Sequence, residues 1–425
     1  MLPDDFPPGG DDRSPPGGDK RLRARELLHP ARPTDAIGVY MHIPFCVRRC
    51  SYCDFNTYAG MVDRWPDLVN ALVREISSVP KETRARTVAT IFVGGGTPTI
   101  IPAEAIGRLL DAVRSAFAVS EDVEVTCEAN PGAADAAVFA GLRESGVTRL
   151  SIGVQSFAER DLELLGRIHD ASEATRAIAA ARNAGFDNVS IDLMFGLPRQ
   201  DSARWRRTLA TAIDLRPEHL SLYDLVVEPH TPIAAWIGSG ALPAPNEDVA
   251  ADQYGHAIDA LGAAGYRHYE VSSWSRGGAT DHACRHNLVY WRNGEYLGLG
   301  PGAHSHLRGV DGASGRPVSW RWSNVRPVDE YIALVGSGRE PVAAAERLTD
   351  RQSMGETMML GLRLVEEGVT AARFLALHGQ SLGDVFGPQI TRLAADGLLL
   401  ADAAGVRLTR TGLMFGDRVF AEFVA

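Results

Sequence analysis

The sequence predicts an α/β fold, in which a barrel of parallel strands precedes a smaller, mostly helical domain. Short apolar and β-branched runs alternate with amphipathic segments, which is the pattern of successive βαβ units. The predicted strands are 37–43, 88–93, 123–128, 149–153, 189–194 and 220–225. The predicted helices between them are 67–78, 103–117, 134–144, 171–184 and 203–214. Because a TIM barrel has eight strands, this shorter series indicates an incomplete, TIM-like barrel.

The segments on either side of the barrel, which is predicted to occupy 34–230, differ from it in composition. Residues 1–33 are rich in Pro, Gly, Asp and Arg. They are predicted to be a disordered tail, since such a segment cannot bury apolar surface. An irregular interval, 231–345, is predicted to link the barrel to a C-terminal domain. That domain, 346–425, has a helical pattern followed by a short β pair, which is similar to a winged helix.

The charge balance excludes several classes of function. The chain has 425 residues, with 53 acidic against 43 basic ones and a formal charge of −10. Nucleic-acid binding requires a basic surface, so no nucleic-acid partner is expected. The same balance matches anionic membranes poorly, and at most peripheral membrane contact is expected. Neither a transmembrane helix nor a signal peptide is expected, because no apolar run is long enough to span a bilayer and the N-terminal segment has no apolar core. The few cysteines predict a reducing cytoplasm.

Three of the five cysteines, Cys46, Cys50 and Cys53, form a CxxxCxxC motif just after the first predicted strand. Three thiolates on one loop can bind three irons of a [4Fe–4S] cluster and leave the fourth iron open. Structural zinc is the competing interpretation, although it prefers four closed ligands. Three thiols cannot all pair in disulfides, and three unrelated thiols are the remaining alternative. Cys127 and Cys284 are isolated and are predicted to be buried.

Polar or glycine-rich groups follow the predicted strands at the end where parallel α/β folds bind ligands. Gly94, Gly95 and Gly96 expose amides that can bind a carboxylate or a ribose, although a tight turn alone also explains them. Glu128 and Asp192 are predicted inside the barrel, where a charge must be paired or must bind a ligand. A structural ion pair is the alternative for each. The other polar residues predicted at this rim are Tyr40, Thr97, Gln155, Arg167, Tyr223 and Asp224.

These motifs resemble those of the radical SAM family, in which three cysteines hold a [4Fe–4S] cluster and S-adenosylmethionine (SAM) binds its open iron. The family's oxygen-independent coproporphyrinogen III oxidase group is similar at YMHIPFC (40–46), GGGTPT (94–99), IGVQSF (152–157) and IDLMFGLP (191–198). The resemblance covers about residues 36–420 and implies a partial (β/α)6 barrel. It implies SAM contacts at Tyr40, Gly95, Thr97, Glu128, Gln155, Arg167 and Asp192. It also places Tyr52 and Gly96 beside that site.

Two sequence features resemble those of a heme chaperone subgroup within the oxygen-independent coproporphyrinogen III oxidase group. The oxidases continue as CxxxCxxCxC, whereas this chain has Phe55 at the last position, and residues 286–291 form an HNxxYW motif. The resemblance implies heme binding at His286, Asn287, Tyr290 and Trp291. Imidazole is a common axial ligand of heme iron, and aromatic rings suit a porphyrin face. A buried structural histidine is the alternative. Further candidates for an axial ligand are His282, His304 and His306.

The predicted function is therefore that of a heme chaperone, which passes heme to respiratory or storage hemoproteins. The resemblance also implies an electron donor such as flavodoxin or ferredoxin. The first alternative is an enzyme that decarboxylates two propionates of coproporphyrinogen III to give protoporphyrinogen IX. The second is a radical SAM enzyme that acts on heme itself, by ring opening or methylation. The sequence leaves open whether the chain is an enzyme.

Overall fold

The computed structural model describes residues 36–278, 280–310 and 317–424, so the tail predicted to be disordered lies outside the described residues. The strands in chain order are β1 (Ile37–Ile43), β2 (Phe45–Cys46), β3 (Tyr58–Ala59), β4 (Thr87–Gly95), β5 (Ala118–Ala129), β6 (Arg149–Gln155), β7 (Val189–Phe195), β8 (His219–Asp224), β9 (Tyr266–Glu270), β10 (Ser273–Arg276), β11 (Tyr296–Leu299), β12 (His304–Val310), β13 (Pro317–Asn324), β14 (Val342–Leu348), β15 (Val369–Thr370), β16 (Leu399–Asp402) and β17 (Gly405–Leu408).

The helices of the same part of the chain follow in the same order. They are α1 (Trp65–Ser78), α2 (Lys81–Arg84), α3 (Ala103–Ala116), α4 (Ala136–Glu144), α5 (Glu159–Leu165), α6 (Ala171–Asn183), α7 (Ser202–Asp214), α8 (Pro232–Gly238), α9 (Glu247–Ala263), α10 (Arg285–Trp291), α11 (Val328–Gly336), α12 (Asp350–Gly361), α13 (Ala371–His378), α14 (Leu382–Ala395), α15 (Arg410–Met414) and α16 (Gly416–Val424).

One large sheet forms the centre of the molecule, with its strands in the order β14-β13-β12-β11-β1-β4-β5-β6-β7-β8-β10-β9. The six strands predicted from the sequence, β1 and β4 to β8, lie side by side and are parallel. The sheet does not close on itself, because β11 extends it beyond β1 and β10 extends it beyond β8. The predicted partial barrel is therefore confirmed.

Alternation along the strands separates an apolar layer from a polar interior. In β7, Val189, Ile191 and Leu193 are fully buried in the apolar core. The residues between them, Ser190 and Asp192, lie on the opposite face of the strand, as the period of two requires. Parallel strands are covered on both faces, so both sets of side chains are largely shielded from solvent. The barrel interior consequently holds polar groups in a site of restricted water access.

The helices around the sheet form because each presents one apolar face to it. In α1, Leu68, Val69, Leu72 and Ile76 are fully buried, and their spacing places them on one side of the helix. These side chains belong to the same core cluster as the buried residues of β1 and β4. The apolar spacing that predicts this helix from the sequence is therefore also what fixes its position against the sheet.

The interval predicted as an irregular linker, 231–345, instead contains six strands, β9 to β14. β9 and β10 extend one side of the sheet, and β11 to β14 extend the other. In β13, Trp322 is buried in the core, whereas its neighbour Arg321 is partly exposed on the opposite face. This interval is thus part of the barrel sheet, and it supplies a second wall beside β1.

The C-terminal helices surround a small apolar core of their own. Phe374, Phe386 and Phe423 are fully buried in it, with ring centroids 5.2 to 6.1 Å apart along this series. The three-stranded sheet β15-β17-β16 completes the unit. Its first helix, α12, also faces the barrel, because the amide of Asn293 donates to the hydroxyl of Thr357 at 2.9 Å. In the described ranges, no helix has both the length and the apolar character to cross a membrane.

Candidate functional site

The cysteine loop begins at the carboxyl end of β1, where β2 and β3 pair in parallel. It is held against the glycine run after β4, because the backbone N–H of Thr97 donates to the carbonyl of Phe45 at 2.8 Å. Cys46, Cys50 and Cys53 are free thiols and are all partly exposed. The three thiols therefore lie on one loop at the end of the barrel where ligands bind in parallel α/β folds, and no three His, Cys, Asp or Glu side chains of the described residues already stand close enough together to hold a metal ion.

Close packing explains two of the glycines in the run. A Cβ on Gly96 would lie 2.5 Å from the carbonyl oxygen of Phe45 and 2.9 Å from Sγ of Cys46. Gly95 has a φ of +124°, and a Cβ there would lie 2.7 Å from the imidazole of His42. Such contacts exclude any larger residue unless the backbone moves. The run therefore brings the β4 backbone directly against the cysteine loop, which a turn alone does not require.

Arg167 connects the cysteine loop to the end of β6. One guanidinium nitrogen donates to Sγ of Cys50 at 3.3 Å, and another donates to the carbonyl of Gly153 at 2.6 Å. Gln155 has a φ of +67°, and its amide nitrogen would lie 3.0 Å from a Cβ on Gly153. Burial raises the pKa of Cys46 to about 11, and the charge of Arg167 opposes this rise in part. A bound metal would supply the further positive charge that keeps these thiols deprotonated.

Two half-buried carboxylates, Glu128 and Asp192, face the barrel interior. Glu128 accepts a hydrogen bond from the N–H of Gly95 at 3.0 Å. Burial, together with the nearby charge of Asp192, raises the pKa of Glu128 to about 7. Asp192 accepts from the hydroxyl of Ser151 at 3.1 Å, and burial raises its pKa as well. Arg149 lowers the pKa of both carboxylates through its charge, but no cation of the described residues forms a salt bridge with either.

The sequence reasoning missed His42, which lies on the same face of β1 as Tyr40. Its Nδ1 accepts from the hydroxyl of Tyr40, and its Nε2 donates to the backbone carbonyl of Asn56, both at 2.9 Å. The ring is neutral, because burial lowers the pKa of His42 to about 4. The pair therefore ties β1 to the cysteine loop. The signal that could have found it is the period of two within the strand.

The other residues predicted to contact SAM lie around the same rim. The hydroxyl of Thr97 lies 3.8 Å from Sγ of Cys46. Tyr52 is half-buried beside Arg167, whose charge opposes the rise that burial causes in the pKa of the phenol. Tyr223 is exposed on β8, and burial raises the pKa of its neighbour Asp224 to about 6. The structure thus gathers the predicted rim residues at one end of the barrel.

A cavity of about 890 Å³ opens beside the cysteine loop and reaches into the barrel, where Tyr40, Gly95 and Glu128 line it. Strands β11 to β13 form one wall, and α12 contributes to another. Its aromatic and apolar lining includes Phe55, Tyr290, Trp291, Tyr296, Met359 and Leu360. Its polar lining includes His42, Asp54, His304, His306, Arg321, Arg326 and Glu356. The volume lies within the range of small-molecule sites.

The HNxxYW helix, α10, lies at the opposite end of the barrel from the cysteine loop. Glu124, which precedes the carboxyl half of β5, accepts from the backbone N–H groups of Arg285 and His286 at 3.1 Å each. Its negative charge also suits a helix N-terminus. His286 is fully buried, with Nδ1 2.8 Å from the hydroxyl of Thr90 and Nε2 2.8 Å from the hydroxyl of Tyr290.

This placement gives His286 a structural setting, and heme binding at His286 stays a prediction. Both of its nitrogens are hydrogen-bonded, and it does not line the cavity. The physical reason is that β11 runs parallel to β1, so the residues just before β11 lie beneath the barrel. Tyr290 and Trp291 do line the cavity, whereas the half-buried Asn287 does not. The motif therefore contributes aromatic side chains to the cavity, and His286 supports one of them.

Comparisons with known proteins support a relationship over nearly the whole chain. A model of the Radical SAM superfamily matches residues 40–212, and one of the HemN C-terminal domain matches 348–415. Heme chaperone HemW of Bacillus subtilis is 36% identical over 388 residues, which cover 91% of this chain and 99% of the relative. Heme chaperone HemW of Mycobacterium tuberculosis is 40% identical over 387 residues, which cover 89% and 92%.

The fold has a relative among solved structures. The solved structure of coproporphyrinogen III oxidase (HemN) from Escherichia coli, a radical SAM enzyme, matches with a TM-score of 0.78 and 24% identity. The match covers 96% of this chain and 94% of that chain. At this level of identity the match establishes the shared fold of the barrel and the C-terminal unit, and it does not establish a shared reaction.

Proposed function

We propose that this chain, which belongs to the HemW family of radical SAM proteins, binds heme in the cavity beside its cysteine loop and passes it to acceptor hemoproteins. The observation that carries the proposal is the aromatic wall of that cavity, to which the HNxxYW motif contributes Tyr290 and Trp291. A porphyrin is a flat, mostly apolar ligand, and it requires a large aromatic surface of this kind. The name of the relatives supports the same ligand.

The cofactors of this family are a [4Fe–4S] cluster and SAM, and the donor set at the rim fits both. Cys46, Cys50 and Cys53 would hold three irons of the cluster. When bound, the cluster supplies one electron to SAM. Arg167 lies against Cys50, where its charge would also attract the carboxylate of SAM. The rim residues proposed to contact or border SAM are Tyr40, Tyr52, Gly95, Gly96, Thr97, Glu128, Gln155, Arg167 and Asp192.

The half-buried carboxylates have a clear role if SAM binds here. SAM carries a sulfonium and an ammonium group, and Glu128 and Asp192 form no salt bridge with a cation of the described residues. A cationic ligand would offset the desolvation that raises the pKa of both. The carboxylates would therefore orient SAM by charge.

We expect SAM affinity to increase as the pH rises through about 7, the raised pKa of Glu128. A raised carboxyl pKa means that the neutral form persists below that pH, and the neutral form does not attract the cationic ligand. Binding that requires the carboxylate should strengthen about tenfold between roughly pH 6 and pH 8. Equilibrium binding of SAM across this range is the measurement.

The control is Glu75, whose pKa burial also raises to about 7 but whose carboxylate contacts Asn324 and Tyr331 rather than the glycine run. Glu128→Gln should flatten the pH dependence, whereas Glu75→Gln should leave it unchanged. An equal effect of the two substitutions would show that Glu128 is not the group responsible.

Two partner classes follow from the proposal. Acceptor hemoproteins, such as respiratory or storage hemoproteins, would receive the heme. A flavodoxin or ferredoxin would reduce the cluster. Val47 and Phe55 on the cysteine loop are 57% and 65% exposed, and they offer an apolar surface beside the thiols at which such a donor could dock. We place this activity in the cytoplasm, as the sparse cysteine usage indicates.

The experiment that tests heme binding is an anaerobic hemin titration of the reconstituted protein, followed through the Soret band. We expect saturable binding, which Trp291→Ala should weaken because it removes a large aromatic surface from the wall. The competing reading is decarboxylation of coproporphyrinogen III. Absence of saturable hemin binding, together with turnover of coproporphyrinogen III in the presence of SAM and a reductant, would replace the chaperone proposal with that enzyme.

A further inference from the structure

His306, on β12, lines the cavity with an imidazole that is engaged on one side only. Its Nδ1 lies 2.9 Å from the backbone carbonyl of Gly294. Because a carbonyl only accepts, Nδ1 carries the proton, and Nε2 is left with a bare lone pair. Nε2 is buried and has no hydrogen-bond partner within the described ranges. His306 therefore presents an unused, buried ligand atom in the wall of the cavity.

This arrangement is the one in which histidine commonly binds a metal. A hydrogen bond from Nδ1–H to a backbone carbonyl fixes the tautomer and the orientation of the ring, so that Nε2 can coordinate. Burial lowers the pKa of His306 to about 4, so the ring is neutral near pH 7. A buried polar atom without a partner also destabilises the protein, which favours a ligand that satisfies it.

The position of His306 joins it to the aromatic wall of the HNxxYW motif. In the sheet it lies opposite Tyr296 on β11 and Arg321 on β13, and all three residues line the cavity. The ring centroids of Tyr290 and Tyr296 are 4.6 Å apart, and those of Tyr296 and His306 are 6.2 Å apart. A planar ligand lying along this wall would therefore have the imidazole of His306 within its footprint.

We propose that Nε2 of His306 is the protein ligand of the iron of heme bound in this cavity, an inference that rests on the proposed function. A second atom points to the same occupant, because Nε1 of Trp291 is also buried without a partner and belongs to the same cavity lining. Heme offers iron to the imidazole and propionate oxygens to the indole N–H. By contrast, His286 and His42 have both ring nitrogens hydrogen-bonded.

The test compares hemin binding by the full-length wild type, His306→Ala and His304→Ala, using Soret titration and electron paramagnetic resonance of the ferric heme. His304 is the matched control, because it lies on the same strand and lines the same cavity but is exposed. We expect His306→Ala to weaken hemin binding by at least about 10- to 100-fold. That is the loss of metal affinity that usually follows when a residue hydrogen-bonded to a metal ligand is removed, and loss of the ligand itself should cost no less. The Soret band of hemin bound to His306→Ala should shift, and added imidazole should restore the wild-type position of the band. Hemin bound to His304→Ala should keep the wild-type spectrum.

The inference would be overturned if His306→Ala bound hemin with the affinity and the spectrum of the wild type. It would also be overturned if only His304→Ala lost the wild-type affinity and spectrum. Either result leaves the proposed function standing, provided that the wild type binds hemin. Failure of the wild type to bind hemin would instead refute the proposed function. Cluster iron content and thermal melting report whether the variants fold. If His306→Ala does not fold, His306→Gln, which keeps a donor for the carbonyl of Gly294, carries the same expectations.

Discussion

Replacing Cys46, Cys50 and Cys53 together with alanine is expected to remove the iron–sulfur cluster completely. The three thiols lie on one loop, and each would supply the ligand of one iron, so the variant retains no cysteine at the site. After anaerobic reconstitution the variant should contain only background iron and sulfide. It should also lack the broad visible absorbance of a cluster. Chemical assays of iron and acid-labile sulfide make the comparison with the wild type.

The control for this experiment is Cys127→Ala. Cys127 is fully buried on β5, as the sequence analysis predicts, and its Sγ contacts the carbonyl of Glu128 rather than the cysteine loop. This variant should assemble the cluster normally, which shows that loss of a thiol as such is not responsible. Wild-type iron and sulfide in the triple variant would mean that the assignment of the cluster to this loop is wrong.

Replacing Arg86 with alanine is expected to cause the largest loss of stability. Its guanidinium donates to both carboxylate oxygens of Glu295, at 2.7 and 2.8 Å, and the two side chains are 4% and 5% exposed. Arg86 precedes β4 and Glu295 precedes β11, the two strands that flank β1. The substitution leaves a buried carboxylate without its cation, which costs about 3–5 kcal/mol.

The matched control for this prediction is Arg64→Ala. Arg64 pairs with Asp329 at 2.8 Å, but the two side chains are 40% and 67% exposed. Exposed pairs contribute about 0–1 kcal/mol. In urea denaturation of the two variants, the midpoint of Arg86→Ala should fall well below that of the wild type, and the midpoint of Arg64→Ala should change little. Similar urea midpoints for both variants would show that burial does not determine how much these two salt bridges contribute to the free energy of unfolding.

The central strands could be predicted because each is a continuous apolar run covered on both faces. The strands between 231 and 345 could not be predicted, because some of their side chains face the cavity and others face the apolar core. In β13, Trp322 faces the core while Arg321 faces the cavity, and such alternation between aromatic and charged residues has no clear strand signature. Their pairing with β1 also depends on contacts between segments far apart in the chain.

The parts of the site that depend on local spacing in the sequence could be predicted. The parts that depend on tertiary contacts could not. The spacing of Cys46, Cys50 and Cys53 identifies the cluster loop, and the family resemblance supplies the rim. By contrast, the HNxxYW motif does not reveal that the parallel pairing of β11 with β1 places His286 at the amino end of the barrel, where it is fully buried. The free nitrogen of His306 arises from a hydrogen bond to Gly294, which no sequence pattern reveals.

Heme transfer is the measurement that tests the central claim most directly. The reconstituted protein is loaded with equimolar hemin and mixed with increasing concentrations of a respiratory apo-hemoprotein, and the change in the Soret band gives the transfer rate. A heme scavenger in excess gives the rate of spontaneous dissociation for comparison. We expect the transfer rate to rise with acceptor concentration and to exceed the dissociation rate. A transfer rate equal to the dissociation rate at every acceptor concentration would contradict the assignment as a heme chaperone.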